Sequence, residues 1–153
     1  MTYSPAGAAF SDLVVLIFRL NGTLLKAGDR MTAPVGQTSA RWQVLGVIDE
    51  GSLTVAAIAR RMGLTRQSVQ RTADLLVSDG LAAYEDNPEH RRAKLLRLLP
   101  AGQAVLDVIE AGQRTWADRV GEGAGEEDLA RAVAVLGRLL RLLEREEGRG
   151  LGR

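Results

Sequence analysis

The stretch from Gly63 to Leu81 constrains the fold most, because its capping residues and its apolar spacing together define one short helix. The spacing i, i+3, i+4 and i+7, which is that of a buried helix face, is occupied by Val69, Thr72, Ala73 and Leu76. Thr65 precedes them as an N-cap, whose hydroxyl can accept a hydrogen bond from a backbone N–H that the helix leaves unsatisfied. Gly80 comes after them as a glycine of the kind that ends a helix. The sequence therefore predicts a short helix with one buried face.

The other face of this predicted helix is polar, and its leading end is basic. It carries Arg66, Gln67, Gln70 and Arg71. Such side chains suit a DNA major groove, where arginine and glutamine meet base edges and phosphates. Because both residue types are also ordinary helix formers, a solvated surface helix explains the same pattern equally well. The stretch alone leaves the two interpretations open.

Charge favours the first interpretation, although the net charge is only +1. From Arg60 to Arg97 the chain has eight basic and five acidic residues, whereas it has four of each before that segment and eight against ten after it. The positive excess therefore lies around the predicted helix and the residues just after it, as expected of a nucleic-acid interface. The length of 153 residues and the apolar fraction of 46% are those of one soluble globular domain.

Several functions lack the residues that they require. The chain has no cysteine and a single histidine, His90. Disulfides and thiol redox chemistry are therefore excluded. A single histidine leaves almost no ligands for a histidine-based metal site and almost no candidates for a catalytic pair that uses histidine. The carboxylates lie mostly on predicted helix surfaces, and the polar residues form no candidate pair of nucleophile and base. We expect no enzyme activity, no catalytic residue, no cofactor and no metal.

The localisation that we expect is cytoplasmic. No basic and then apolar leader resembling a secretion signal opens the chain. The most apolar run, Leu13 to Leu25, is interrupted by Arg19 and Asn21 and is too short to span a bilayer.

Strongly apolar helices are predicted at both ends of the chain. The first, from Ala6 to about Leu25, is apolar over so much of its surface that it needs cover on more than one side; its apolar residues are Phe10, Leu13, Val14, Leu16, Ile17, Phe18, Leu20 and Leu24. A helix from Pro100 points Val105, Leu106, Ile109 and Trp116 inward, and Gly121 to Gly125 breaks it. The last helix carries the stripe Leu129, Ala132, Val133, Leu136, Leu139, Leu140 and Leu143. A second copy of the chain is the favoured cover for these faces, and the alternative is a central helix of a monomer.

The middle of the chain predicts a winged helix-turn-helix. After a loop from Asp29 to Thr38, a helix capped by Ser39 or Thr38 continues to Gly51, and a second helix spans Val55 to Met62. A brief turn containing glycine then leads into the helix that begins near Thr65, which is the helix-turn-helix arrangement.

Beyond Gly80 the apolar period changes from that of a helix to that of a strand. The sequence predicts two strands, Leu81 to Tyr84 and Lys94 to Leu98, joined by a turn with Asp-Asn-Pro. Arg91 and Arg92 fall at the hairpin tip, where arginine suits the phosphate backbone or the minor groove. A solvated hairpin tip is the less favoured alternative.

In the order of these elements the chain resembles the MarR family of bacterial transcription regulators. The resemblance covers nearly the whole chain and is strongest over Arg41–Ile48, Ala57–Leu81 and Asn87–Gly102. It implies a mainly α fold with a small β-hairpin wing (α+β), that is, a winged helix-turn-helix with N- and C-terminal dimerisation helices. Residues 1–153 would form a single domain, with a DNA-binding lobe at 37–100 and a helical dimerisation region at 6–30 and 101–147.

The resemblance also implies a site and a mechanism. The residues that would contact DNA are Thr65, Arg66, Gln67, Ser68, Gln70 and Arg71 in the major groove and Arg91 and Arg92 in the minor groove. We expect a homodimeric repressor that binds a pseudo-palindromic double-stranded operator and is released by a small, commonly aromatic effector. Arg41 and Trp42 lie near the effector cleft that the family suggests, although a purely core role is favoured for Trp42.

Two positions depart from the family pattern. His90 stands where many members have an aspartate before the paired wing arginines, so the wing would be less rigid or held through Glu89 or Asp86. Leu99 stands where members often have a capping threonine, which costs the start of the next helix about 1 kcal/mol.

A different class of function is kept as an alternative. A winged-helix protein-interaction module that never touches DNA would have the same fold. It should expose an apolar patch where the Arg66, Gln67 and Arg71 face and the wing lie.

Overall fold

Helices account for most of residues 2–150, which are the part of the chain that this computed structural model describes. The elements are α1 (Pro5–Thr32), a 3-10 turn (Ala33–Val35), α2 (Ser39–Asp49), β1 (Leu53–Thr54), α3 (Val55–Met62), α4 (Arg66–Ser78), β2 (Ala82–Glu85), β3 (Leu95–Leu98), α5 (Pro100–Ala124) and α6 (Glu126–Gly150). The predicted mainly α fold with a small β wing is confirmed. Within residues 2–150 the chain forms two compact units that divide between Ala111 and Gly112, so α5 contributes to both.

Glycines end α3 and α4 as the sequence predicts. Gly63 and Gly80 have φ values of 64° and 71°, in the left-handed region that favours glycine. After α4, the Leu81 N–H donates to the Leu76 carbonyl at 2.9 Å and the Gly80 N–H to the Val77 carbonyl at 3.1 Å, which together form a Schellman motif. The same kind of bond joins the Leu64 N–H to the Ala59 carbonyl at 2.9 Å. The turn between the two helices is therefore set by their own backbone.

A three-stranded antiparallel sheet, in the order β1-β3-β2, takes the place of the two-stranded hairpin predicted from sequence. In the predicted hairpin Tyr84 pairs with Leu96, and in the additional pairing Leu53 lies opposite the same Leu96. β1 was missed because a strand of two residues shows no alternation. In addition, Thr54 serves α3 as its N-cap and accepts the Ala57 N–H at 3.1 Å.

The first helix is longer than predicted. α1 runs to Thr32, so the first part of the predicted loop from Asp29 is helical. The Asp29 carboxylate accepts the Ser39 N–H at 2.8 Å, and the Ser39 hydroxyl donates to the Leu25 carbonyl at 2.7 Å. Polar residues that suggested a loop are therefore the ones that join the end of α1 to the start of α2.

One core holds the helix-turn-helix and the sheet together. The fully buried side chains include Leu45 of α2, Ile58 of α3, Leu76 of α4, Leu96 of β3 and Leu106 of α5. Because each of these five elements contributes a large apolar side chain to the same cluster, α4 has a fixed place on a rigid support.

Of the four positions expected to point inward from α5, Leu106 and Ile109 are fully buried and Val105 and Trp116 half-buried. The break predicted at Gly121 to Gly125 is limited to Gly125. α5 continues to Ala124, and Gly125, with a positive φ of 86°, separates it from α6. The α6 stripe is largely exposed in the single chain, with Val133 71% and Leu140 59% accessible.

Many apolar side chains of α1 are likewise exposed in the single chain, including Phe18 at 72%, whereas Leu13 and Val14 are half-buried. By length and composition the segment Pro5–Val35 could cross a membrane, with a mean hydropathy of 1.5, and it is the one such helix among residues 2–150. This corrects the expectation from sequence, which considered only Leu13–Leu25, because the helix continues beyond that run at both ends. One such helix is weak evidence for a membrane span.

Candidate nucleic-acid interface

The helix α4 presents the predicted reading face to solvent. Val69, Ala73 and Leu76 are buried as predicted, and Thr72 is half-buried. The residues expected to contact DNA from α4 and its cap are all exposed: Thr65, Arg66, Gln67, Ser68, Gln70 and Arg71. The Thr65 hydroxyl accepts the Ser68 N–H at 3.2 Å, so Thr65 is the N-cap that the sequence predicts. The first turn of α4 is therefore held in place while its polar side chains remain accessible.

The wing tip is held by Asn87 rather than by a carboxylate. The Asn87 side-chain oxygen accepts the Glu89 N–H at 3.0 Å, and its backbone carbonyl accepts the His90 N–H at 3.2 Å. In the next turn the Ala93 N–H donates to the His90 carbonyl at 3.1 Å. Neither Glu89 nor Asp86 forms a salt bridge within the described part of the chain.

One cleft lies between the start of α3, the start of α4 and the wing. Its volume is about 580 Å³, and its lining residues are Thr54, Val55, Ala56, Arg66, Gln67, Gln70, Tyr84, Arg92, Ala93 and Lys94. The lining brings together three of the predicted α4 residues and one of the two predicted wing arginines. It also includes Lys94 and Tyr84, which sequence reasoning missed as site residues because they were counted only as parts of strands.

The basic residues of this face have no carboxylate partners. Six salt bridges occur among residues 2–150, and none of them includes Arg66, Arg71, Arg91, Arg92 or Lys94. By contrast, Arg97 on β3 pairs with Glu85 at 3.0 Å, and Arg61 on α3 pairs with Glu50. The cations of α4 and the wing are therefore available to a negatively charged partner.

Gln70 does not point freely outward as the sequence suggested. Its amide nitrogen lies 2.8 Å from a carboxylate oxygen of Asp74 and 2.7 Å from the hydroxyl of Tyr84. The Tyr84 hydroxyl in turn donates to the same Asp74 oxygen at 2.7 Å. Burial, followed by the hydrogen bond to Asp74 and the charge of that carboxylate, raises the pKa of Tyr84 to about 12. The Tyr84 hydroxyl therefore stays protonated to a higher pH than that of an ordinary tyrosine.

Arg41 and Trp42 lie at the start of α2, and neither lines the cleft. Arg41 forms a salt bridge with Asp79 at the end of α4, and its Nε is buried without a hydrogen-bond partner. Trp42 packs against the core cluster, as the favoured interpretation of this residue expected. Among residues 2–150, no group of three or more His, Cys, Asp or Glu side chains could hold a metal ion.

Sequence comparisons identify relatives of this chain. A profile of the MarR family matches residues 36–93. An uncharacterised protein of Mycobacterium tuberculosis is 47% identical over 97 residues, which are 63% of this chain and 68% of that protein. The HTH-type transcriptional repressor MdtR of Bacillus subtilis is 29% identical over 119 residues, 77% of each chain. The transcriptional activatory protein BadR of Rhodopseudomonas palustris is 26% identical over 136 residues, 84% of this chain and 77% of BadR.

Solved structures share the fold. A mutant MarR of Escherichia coli complexed with operator DNA has a TM-score of 0.76 at 21% identity, with 90% of this chain and 99% of that chain covered. CouR of Rhodococcus jostii bound to p-coumaroyl-CoA has a TM-score of 0.75 at 24% identity, with 84% and 91% covered. With a matching family profile, a relative at 47% identity and this shared fold, the chain belongs to the MarR family of winged-helix transcription regulators.

Proposed function

We propose that this chain binds double-stranded DNA sequence-specifically through α4 and the wing, and that it regulates transcription as a homodimeric repressor. The observation that carries the proposal is the set of exposed cations on this face, which lack carboxylate partners within residues 2–150. Phosphate groups are the partners that such arginines and lysines neutralise when a protein binds DNA. The resemblance to the repressor MdtR supports the repressor role, whereas BadR is an activator. A reporter fused to the regulated promoter distinguishes repression from activation.

The proposed contacts divide into two kinds. Arg66, Gln67, Ser68, Gln70 and Arg71, with Thr65 at the cap, would lie in the major groove, where arginine and glutamine discriminate between bases. Arg91 and Arg92 would lie at the phosphates or in the minor groove, where narrow A·T-rich sequences attract arginine. Phosphate contacts set the position and base contacts set the sequence preference.

A second copy of the chain is the proposed cover for the apolar faces of α1 and α6. Large side chains such as Phe18, Val133 and Leu140 are more than half exposed in the single chain. Exposed apolar faces on this scale mark an interaction site. With two-fold symmetry, two α4 helices would meet successive major grooves, and the operator would be pseudo-palindromic with half-sites about 10 base pairs apart.

The competing function is a winged-helix module that binds only protein. That function predicts an apolar patch on the face of α4 and the wing. The cleft there has apolar lining from residues such as Val55, Ala56 and Ala93, but it also carries the cations Arg66, Arg92 and Lys94. The exposed and unpaired cations favour DNA over a protein partner.

Substitution of one arginine from each element tests the proposal. In a band-shift titration on the promoter region of its own operon, Arg71→Ala and Arg91→Ala should each weaken binding by roughly 5-fold to 150-fold, the effect of about 1–3 kcal/mol. Arg97→Ala is the control, because it removes the same charge from a residue that is already paired with Glu85. Binding by Arg71→Ala and Arg91→Ala that equals the parent's would overturn the assignment.

Release by a small aromatic effector is the last part of the proposal. It is supported by CouR, whose structure holds p-coumaroyl-CoA, and by a Staphylococcus aureus MarR in complex with salicylate and kanamycin. Arg41, whose Nε is unpartnered, and Trp42 are the proposed contacts for an anionic aromatic ligand. Calorimetric titration with aromatic carboxylates tests this: binding should weaken in Arg41→Met, and an unchanged affinity would remove Arg41 from the site.

Regulators of this family are soluble cytoplasmic DNA-binding proteins, and we place this chain in the cytoplasm with them. Fractionation of cells that express the full chain should recover it in the soluble fraction. Recovery in the membrane fraction would instead support a span formed by the apolar segment Pro5–Val35.

A further inference from the structure

Three side chains on the reading face form a closed hydrogen-bonded triangle. Gln70 and Asp74 lie one turn apart on α4, and Tyr84 lies on β2, the first strand of the wing. The Gln70 amide nitrogen is 2.8 Å from Asp74 and 2.7 Å from Tyr84, and the Tyr84 hydroxyl is 2.7 Å from the same Asp74 oxygen. The triangle is a direct polar link between the α4 face and the wing strand.

The hydrogen-bonding capacity of each group fixes the orientation of the glutamine amide. A carboxylate can only accept hydrogen bonds, so both of its partners in the triangle must donate to it. Because the single Tyr84 proton goes to Asp74, the Tyr84 oxygen is left as an acceptor for Gln70. An inverted amide would place the Gln70 carbonyl oxygen against two acceptors. The Gln70 amide nitrogen therefore faces the protein.

We propose that Asp74 and Tyr84 are positioning residues that hold the Gln70 amide nitrogen against the protein, so that Gln70 offers DNA only its carbonyl oxygen. The inference rests on the proposed function, since it concerns how α4 reads bases. Their proposed part in base recognition is to hold this amide in one orientation.

The consequence is a specific change in base preference. An unrestrained glutamine recognises adenine with two bonds, in which the amide nitrogen donates to N7 and the carbonyl accepts from the N6 amino group. The amide nitrogen has two protons, and because Asp74 and Tyr84 each accept one of them, the donation to N7 is lost. The carbonyl can still accept from an amino group, which both cytosine N4 and adenine N6 present in the major groove. Gln70 should therefore accept cytosine or adenine at one position of each half-site and discriminate poorly between them.

The triangle also ties the wing to α4. Tyr84 pairs with Leu96 in the sheet, so its hydroxyl fixes the wing strand relative to the recognition helix. Loss of that hydroxyl removes one anchor of the wing and should weaken DNA binding as a whole by roughly threefold to tenfold, the usual effect of one hydrogen bond.

The test is a selection from random duplex DNA with five forms of the full-length protein. Gln70→Ala identifies the base position that Gln70 reads, because preference is lost there alone. Asp74→Ala should change that position from cytosine-or-adenine to a preference for adenine, and Tyr84→Phe, which frees one amide proton but leaves the bond to Asp74, should shift it in the same direction by less. Asp107→Ala is the matched control, because Gln103 donates to Asp107 at 3.2 Å in the same i, i+4 arrangement on α5, with no tyrosine. The control should keep the preference of the parent.

The outcomes separate this inference from the function on which it rests. If the parent enriches a sequence and Tyr84→Phe and Asp74→Ala enrich the same bases at the Gln70 position, the positioning role is overturned and DNA binding stands. If Gln70→Ala changes no position, the inference is also overturned. If the parent enriches no sequence, the proposed function fails and this inference fails with it.

A second readout needs no DNA. The chain has two tyrosines, so in a Tyr3→Phe background the absorbance of phenolate reports Tyr84 alone. Tyr84 should ionise at about pH 12 in that background, and its pKa should fall when Asp74→Ala is added, because the hydrogen bond and the charge of Asp74 both raise it. The same titration curve in both proteins would mean that the triangle does not form in solution.

Discussion

Among single residues, Gly102 shows how closely the chain approaches itself. It lies in the first turn of α5, where Leu99, just before the helix, donates its N–H to the Leu81 carbonyl at 3.0 Å. A Cβ at position 102 would collide with that carbonyl oxygen and lie 2.7 Å from Cδ1 of Leu98. Only glycine allows α5 to begin against the start of the wing.

Gly102→Ala should lower the free energy of unfolding by about 1–3 kcal/mol, because the backbone carbonyl cannot move aside as a flexible side chain would. Gly112→Ala in the same helix is the control, since no other group lies within 4 Å of a Cβ there. The control should gain up to about 1 kcal/mol from helix propensity. Urea titrations measure both, and equal stability in the two variants would contradict the close approach.

Local residue roles were predictable where the signal itself is local. The Thr65 cap and the burial of Val69, Ala73 and Leu76 follow from spacing within one helix, and both were predicted. The role of Gly102 was not, because it depends on Leu81 in another element. The hydrogen bond of Gln70 was not predictable either, since its partner Tyr84 lies in another element and the residues next to Gln70 in sequence do not indicate it.

Among the elements, the joint between α1 and α2 depends on one carboxylate. The backbone N–H of Ser39 donates to Asp29 and holds the pKa of that carboxyl below its ordinary value of 3.8, and the Ser39 side chain acts in the same direction. A group whose pKa is lowered in the folded state contributes stability above its unfolded pKa. That contribution is lost as the pH falls through the folded pKa.

Asp29→Asn should therefore reduce the loss of stability that acid causes below about pH 4, near the unfolded pKa of an aspartate. The measurement is the free energy of unfolding of the parent and the variant across the acid range. Asp12→Asn is the control, since Asp12 is an exposed residue of the same helix. Parallel pH profiles for Asp29→Asn and the parent would show that the joint is not formed by this bond.

A second joint connects the start of α2 with the end of α4. Arg41 is largely buried, with 16% of its side chain exposed, and it pairs with Asp79. A double-mutant cycle with Arg41→Met and Asp79→Asn should give a coupling energy of about 0.5–1.5 kcal/mol, at or above the usual range for exposed pairs. The exposed pair of Arg131 and Glu127 on α6 is the comparison and should give less. A coupling energy near zero at Arg41 would contradict the joint.

Elements were predictable where the apolar period is long. α3 was predicted with its observed bounds, Val55–Met62, and α2 and α4 were correct to within about a residue at most ends. The third strand and the last turns of α1 were missed, since both are fixed by partners distant in sequence. For the interface, α4 and the wing were predicted from composition, but their shared cleft required Lys94 and Tyr84 to meet Arg66 in space.

For the whole molecule, binding of two α4 helices to successive major grooves requires two copies of the chain. The exposed stripe of α6 is too apolar for a helix that remains in water, and its regular spacing is that of a helix packed against others. The sequence indicates that such a face must be buried against another helix. It does not show whether that helix belongs to the same chain or to a second copy, since the same stripe would also pack within one chain.

Val133→Glu should therefore convert a dimer into a monomer, because it places a charge in the centre of the proposed interface. Ala134→Glu is the matched control, because it adds the same charge to an exposed neighbour outside the stripe. Sedimentation velocity should give a dimer for the parent and the control and a monomer for Val133→Glu. A parent that sediments as a monomer would contradict the dimer.

The salt dependence of DNA binding by the full chain is the sharpest test of the interface formed by α4 and the wing. The association constant for an operator duplex, measured by fluorescence anisotropy from about 50 to 300 mM salt, should fall linearly on logarithmic axes. We expect a slope that is smaller by about one for Arg91→Ala and unchanged for Arg97→Ala. Binding that does not depend on salt, or identical slopes for the parent and Arg91→Ala, would contradict a DNA interface formed by these elements.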